Sequence, residues 1–490
     1  MLSHVFLEVA VMVFSSPLFL FYFMPVFFLI YLLTPKIEWK NLIAILFSLI
    51  FYSWGEPIFV FFVVGGTFID YVIIRRFICS VDVSEKTKRI AVFSAITLNV
   101  CSLAYFKYAN FFLDQINPLW QLLFGHHLGA IDVVLPLGIS FIAFHKISLV
   151  VDIYKQRTKP PKAFYDILLY ILVFPQLVAG PIIRYHDISD QLRGRVYSSD
   201  DFLIGFLRFT VGLTKKVLIA DPVGQVADFV FSSQLNTLPV GYLWLGALAY
   251  TLQIYFDFSA YSDMAIGLAR MMSFRFPENF NRPYLAHSVT DFWQRWHISL
   301  SNWMRLYLYI PLGGNRVAKW RMMTNLWIVF LLSGLWHGAA WTFIVWGGYY
   351  GFFLSIEKAF ENRRMSNMFP RIARWTLTMF IVVTGWVIFR ASDIGNASDY
   401  ICRMYLMCSV DVVGYPEPFY LIIDPAQQMA FFVGLILSLS PLPDRLTWAS
   451  VDVRSALNIA LIFAFSVGLF SVASATVLAG DYSPFLYFRF

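Results

Sequence analysis

The chain has 490 residues, of which 59% are hydrophobic and 14% charged, with a formal net charge of +7. A soluble domain carries roughly 25% charged residues. This composition, with a mean hydropathy of +0.66, excludes a string of soluble domains and describes an all-α, polytopic integral membrane protein. Basic cytoplasmic loops account for the positive excess, so no nucleic acid is implied.

In chain order, residues 13–34 are apolar and long enough to span, with neither a basic leader nor a small-residue cleavage site, and read as a retained helix. Further spans are predicted near 41–54, 57–74, 90–112, 133–154, 201–219, 242–272 (one or two), 322–339, 340–356, 375–391, 426–441 and 455–478. The segment 164–182 carries Pro175 and Gly180-Pro181 inside an apolar run. It is predicted to be re-entrant, which requires its freed backbone groups to face protein or a cavity. The expectation is ten to twelve transmembrane helices with re-entrant and interfacial helices, in one domain over 13–490 after an N-terminal extension at 1–12.

Loop charge predicts orientation. Segments 75–90, 155–163 and 358–374 are rich in Lys and Arg and are expected to be cytoplasmic, whereas 113–132 and 391–425 should face outward. Cys402 and Cys408 lie in the latter and are able to pair on an oxidising face, which their spacing alone does not establish. The cysteines show no metal-ligand spacing, and no metal is expected.

Polar groups concentrate in few places. Between Arg321 and Glu357 there is no formal charge, yet His337 sits near the middle. A helix crosses the hydrocarbon core with roughly 20 residues, so this stretch is too long for one span and tight for two. An imidazole at that depth reads by default as a functional site. The alternative is a buried histidine satisfied by Ser333, one helical turn earlier. In Gln253–Met264, Asp257 with Tyr261 and Ser259 with Asp263 are spaced for a shared helix face, as acid/base groups or as hydrogen-bonding anchors.

In Asp291–Arg305, Asp291 and Arg295 are one turn apart and should pair; His297 can reach Ser301. Trp293 and Trp296 share a face, as in an interfacial helix. The Pro311–Gly314 turn with Lys319 and Arg321 lacks the phosphate-loop pattern; a basic turn there could hold a cofactor's phosphates or be a cytoplasmic loop end, and the loop end is the favoured reading. His145, near Asp152, reads as interfacial. Eight of the 15 tryptophans fall between Trp293 and Trp346. Aromatic walls with a few convergent polar groups suit a ligand cavity, and imidazoles there suit activation of a hydroxyl. The catalytic core is therefore expected around 250–356.

The motifs Tyr255-Phe-Asp-Phe-Ser-Ala-Tyr-Ser-Asp, Phe292-Trp-Gln-Arg-Trp-His-Ile-Ser-Leu-Ser and Gly334-Leu-Trp-His-Gly-Ala resemble those of membrane-bound O-acyltransferases, specifically the bacterial alginate O-acetyltransferase subgroup. The resemblance extends over nearly the whole chain and implies that family's fold. It also implies transfer of an acyl group from a cytoplasmic donor to a hydroxyl outside the cytoplasmic membrane. By this resemblance His337 matches the principal catalytic histidine and His297 the second. Asp291, Arg295, Trp296, Trp336, Arg305, Asp257, Asp263, Tyr261 and Ser333 are the expected supporting residues. The subgroup implies acetyl-CoA as donor, no bound cofactor, and a polysaccharide such as alginate, cellulose or peptidoglycan as acceptor. Periplasmic or membrane-anchored partner proteins are expected in the bacterial inner membrane system. Two departures stand out: Leu306 replaces the subgroup's acidic residue, and Ala260 its glycine. The competing classes are a polysaccharide or ion-coupled transporter using Asp257 and Asp263, and a scaffold of a secretion complex.

Overall fold

The computed structural model describes residues 12–128, 133–360, 369–408, 423–440, 451, 453, 455–480 and 485–486. The expected extension at 1–12 lies outside them except for Met12. All regular structure among the described residues is helical. Contacts divide the chain into two compact units, Met1–Phe209 with Met264–Pro277 and Thr210–Asp263 with Glu278–Phe490.

The first unit contains α1 (Met24–Leu33), α2 (Ile37–Gly55), α3 (Phe59–Ile73), α4 (Glu85–Phe124), α5 (Ile139–Tyr154), α6 (Phe164–Leu172) and α7 (Phe174–Leu177). Helix α4 begins where Ser84 Oγ accepts the Thr87 N–H at 3.2 Å and stops at Gly125, whose φ of +75° suits glycine. It is longer than the predicted span 90–112. The 164–182 segment breaks at Val173 into helices too short to cross a bilayer. Protein groups meet its backbone: Phe174 N–H donates to Ser48 Oγ at 3.0 Å, and the Tyr170 C=O accepts from Gln176 Nε2. The Phe174 ring is held by Phe14, Phe19, Phe23, Phe27 and Phe51, with centroids 5.1–6.4 Å away. His145 corrects the interfacial expectation. It is fully buried on α5, with Nε2 3.4 Å from the Ile183 N–H, because both neighbouring turns of α5 are enclosed by protein.

The second unit begins within α8 (Ser199–Lys215) and continues through a π-helical turn, Lys216–Ala220, into α9 (Asp221–Ser232). Helix α10 (Val240–Met271) is a single helix over the run predicted as one or two spans. Two short helices follow, α11 (Val289–Arg295) and α12 (Ile298–Met304), then α13 (Lys319–His337), α14 (Trp341–Phe360), α15 (Arg371–Arg390), α16 (Ile394–Met404), α17 (Pro425–Leu439) and α18 (Ala456–Ala479). The uncharged stretch is thus a hairpin of two helices. Its arms touch at Gly334, where a Cβ would lie 2.2 Å from the Phe343 carbonyl oxygen. A disulfide joins Cys402, in the last turn of α16, to Cys408 just beyond it. Among the described residues, α4, α15 and α18 are each long and apolar enough to cross a membrane, and α17 is a shorter apolar helix.

Candidate active site

His337 is the last residue of α13 and is 5% exposed. Its ring packs against Trp336, Trp346 of α14 and Phe389 of α15, at centroid distances of 5.0, 5.1 and 5.4 Å. Gly338 follows in extended conformation, and a Cβ there would sit 2.0 Å from the Phe343 ring. The glycine lets the chain leave the helix flat against Phe343 while the imidazole stays inside its aromatic enclosure.

The second histidine lies where α11 ends and α12 begins. Ser288 Oγ caps α11 by accepting the Asp291 N–H at 2.9 Å, and Glu357 of α14 accepts the Val289 and Thr290 N–H groups at 2.6 and 2.8 Å. As the spacing predicts, Arg295 Nε donates to Asp291 Oδ1 at 2.6 Å. The helix then breaks, and His297 takes a left-handed backbone, φ +44° and ψ +54°. The expected His297–Ser301 side-chain pair is not formed, because this break rotates the imidazole out of helical register. Ser301 Oγ instead donates to the Trp293 C=O at 3.1 Å, and His297 Nδ1 lies 3.0 Å from Asn279 Oδ1. His297 is fully buried, 4.7 Å from the Phe258 ring and 6.1 Å from Trp336. Both imidazoles therefore lean on one indole. Trp293 and Trp296 face protein instead of an interface: Trp296 meets Trp386 at 4.7 Å and Trp293 meets Trp346 at 5.6 Å.

The α10 carboxylates are committed to lysines. Lys216 Nζ stands 2.8 Å from Asp257 Oδ1 and 2.6 Å from Asp221 Oδ1, and Lys215 Nζ stands 2.7 Å from Asp263 Oδ2. Asp257 Oδ2 also accepts the Leu486 N–H at 2.7 Å, and Tyr261 lies 4.7 Å from the Phe485 ring. This arrangement makes Asp257, Tyr261 and Asp263 packing anchors, one of the two readings left open by the sequence. The lysines were an available signal, since two cations inside an apolar run need anionic partners.

A cavity of about 300 Å³ opens beside these elements, lined by Trp293, Ser301, Arg305, Tyr309, Asn315, Phe330, Ser333, Leu354 and Lys358 among others. Its size is at the small end for a ligand pocket. Arg305 begins the π-helical turn Arg305–Tyr309, and Tyr309 Oη donates to Asn315 Oδ1 at 2.6 Å. Ser333 faces this cavity one turn before His337. Sequence reasoning missed Asn279, Asn315, Glu357 and Lys358. Of these, Glu357 and Lys358 had a signal, as the adjacent charges that end an otherwise uncharged span.

Two buried imidazoles sharing an aromatic enclosure, beside a cation-lined cavity, suit removal of a hydroxyl proton while water is kept from a reactive ester. The helical bundle and this site define a membrane-embedded acyl-transfer protein. A model of the membrane-bound O-acyltransferase family matches residues 160–393. The chain is 39% identical to a probable alginate O-acetylase of Pseudomonas putida over 98% of its own length and 100% of the relative's. It is 44% identical to the corresponding Pseudomonas aeruginosa protein over 80% of this chain and 74% of that one. A peptidoglycan O-acetyltransferase of Helicobacter pylori is 35% identical, with 80% and 79% covered. The chain belongs to the membrane-bound O-acyltransferase family and is a membrane O-acyltransferase. These relatives are acyl-transfer proteins, which favours that class over the transporter and scaffold alternatives.

Proposed function

We propose that this protein transfers acetyl groups from acetyl-CoA, entering from the cytoplasm, to hydroxyls of an exopolysaccharide outside the bacterial inner membrane. Alginate is the acceptor favoured here, because the alginate O-acetylases are more similar to this chain than the peptidoglycan enzyme is. Periplasmic or membrane-anchored partner proteins complete delivery to the polymer.

The observation that carries this reading is the placement of His337. It is buried within an aromatic enclosure at the end of α13, one turn after Ser333 of a cavity that presents Arg305 and Lys358. Cations at a cavity suit the phosphates of a coenzyme A donor. In the proposed step the acceptor hydroxyl oxygen attacks the thioester carbonyl carbon, and His337 takes the hydroxyl proton. Collapse of the tetrahedral species breaks the carbon–sulfur bond, and the proton passes to the leaving thiolate. No oxidant, reductant or protein-bound acyl group is needed. His297 assists as a hydrogen-bonding group beside the reacting atoms.

Quantifying O-acetyl groups on exported polysaccharide tests this directly. Cells carrying His337→Ala at normal protein level should lose nearly all acetylation, since a positioned base contributes roughly 10²–10⁴-fold. Near-normal acetylation would overturn the assignment of His337. Acetylated peptidoglycan with unacetylated exopolysaccharide would overturn the acceptor.

A further inference from the structure

We infer that Asn279 is a positioning residue that fixes the tautomer of His297, so that this imidazole presents a bare Nε2 lone pair to a reactant. The inference rests on the assignment of His297 to the acyl-transfer site only for its kinetic consequence.

One group around this amide has a fixed role. The Ser299 backbone N–H can only donate, and it points at the Asn279 side-chain amide at 3.3 Å. The amide atom there must therefore be the oxygen. Ser299 Oγ lies 2.8 Å from the same oxygen, and Asn279 Nδ2 donates outward to Ser262 Oγ of α10 at 3.0 Å. A flipped amide would set its N–H₂ group against the Ser299 N–H, which leaves two donors facing each other. Ser299 Oγ also stands 3.4 Å from His297 Nδ1, but its single proton is engaged in the shorter bond to Oδ1, so Nδ1, 3.0 Å from that oxygen, bonds it as a donor. The neutral ring then has no hydrogen on Nε2.

The backbone adds a second hold: Ile298 N–H donates to the Asn279 C=O at 2.9 Å, so both ends of Asn279 grip the residues around the histidine. Asn279 is itself 1% exposed and His297 fully buried. Nε2 of His297 has no hydrogen-bond partner among the described residues, with Phe258 and Trp336 as its aromatic neighbours. A buried acceptor without a partner costs free energy, and a reactant bearing an N–H or O–H relieves that cost on arrival. His297 consequently serves as an acceptor, either for the attacking hydroxyl or for an amide N–H of the donor's thioester arm. It is not built as a donor to a developing oxyanion.

The test uses the full-length protein in nanodiscs with ¹⁵N-labelled histidine, the His297 signals being those lost in His297→Gln. A protonated Nδ1 and an unprotonated Nε2 are expected in the wild type. Asn279→Leu should abolish that preference and lower kcat by about tenfold or more, with the donor KM unchanged if the hydroxyl is the partner and raised if the thioester arm is. Asn279→Asp still accepts from Nδ1 and should restore activity. Its pH–rate profile should be displaced from the wild type's, because a carboxylate then faces the ring. An Nε2–H ring in the wild type overturns the inference, as do equal losses in the Leu and Asp variants with an unchanged tautomer. A changed tautomer with an unchanged rate overturns instead the catalytic assignment of His297.

Discussion

Lys216 and Asp257 form an ion pair of 2.8 Å in which the side chains are only 4% and 2% exposed. Removing one member of such a pair leaves an uncompensated buried charge, at a cost of about 3–5 kcal/mol. Lys216→Met should therefore reduce the yield of monodisperse protein and lower its melting temperature. Lys216→Met combined with Asp257→Leu should recover part of the loss. Asp221 also reaches Lys216, at 2.6 Å, so recovery will be partial. Melting measured by fluorescence-detected size exclusion checks the ordering of the three proteins.

The two glycines of the α13–α14 hairpin should differ in their response to repair. At Gly334 an added Cβ meets the Phe343 backbone oxygen, and at Gly338 it meets the Phe343 ring. Overpacking of this kind costs about 1–3 kcal/mol or more. Trimming the ring with Phe343→Leu should rescue Gly338→Ala and leave Gly334→Ala defective. Equal rescue of both, read as thermal stability, would contradict the distinction.

The cavity cations predict a kinetic signature. For the coenzyme A donor proposed above, Lys358→Met and Arg305→Met should each raise the donor KM while leaving kcat less affected, because a point charge on remote phosphates binds ground state and transition state alike. Raising the salt concentration should mimic these variants in the wild type. Steady-state acetyl transfer at several donor concentrations separates the two parameters.

Glu357 links α14 to the start of α11 by accepting from Val289 N–H, Thr290 N–H and Thr290 Oγ1, at 2.6–2.8 Å. Glu357→Ala leaves those donors without this acceptor and loosens the short helix that leads into His297. A modest loss of stability, about 1–3 kcal/mol, should accompany a larger fall in turnover. Turnover at a temperature where the variant remains folded checks this.

The Cys402–Cys408 disulfide predicts exposure to an oxidising compartment. In intact cells a membrane-impermeant maleimide should label these cysteines only after reduction. Labelling without reductant would argue against the disulfide, and absence of labelling even after reduction would argue against the outward placement of the loop.

Much of this site is written locally. Asp291 and Arg295 pair because both lie in one short helix, where four-residue spacing is contact. The uncharged stretch with one histidine foretold a buried imidazole, and its length foretold a hairpin. What was not legible depended on breaks and distant partners. His297 missed Ser301 because the chain abandons helical geometry at Trp296, which no propensity in Arg-Trp-His-Ile announces. Asn279 lies 18 residues away from its histidine, in a segment whose loop path only the assembled bundle defines. Asp257 and Asp263 were matched to Tyr261 and Ser259 because period alone relates them, whereas the lysines that claim them come from another segment, at the junction of α8 with a π-helical turn.

The left-handed backbone of His297 carries an evolutionary consequence. A non-glycine residue held at φ +44° stores roughly 1–3 kcal/mol of strain, which glycine or asparagine would relieve in part. Selection for a sturdier fold alone would thus erode this imidazole, and a gene copy freed from its task would drift early toward glycine or asparagine at this position. Strain here opposes stability with activity, so a thermostabilised derivative chosen without an activity screen is at risk of arriving inert.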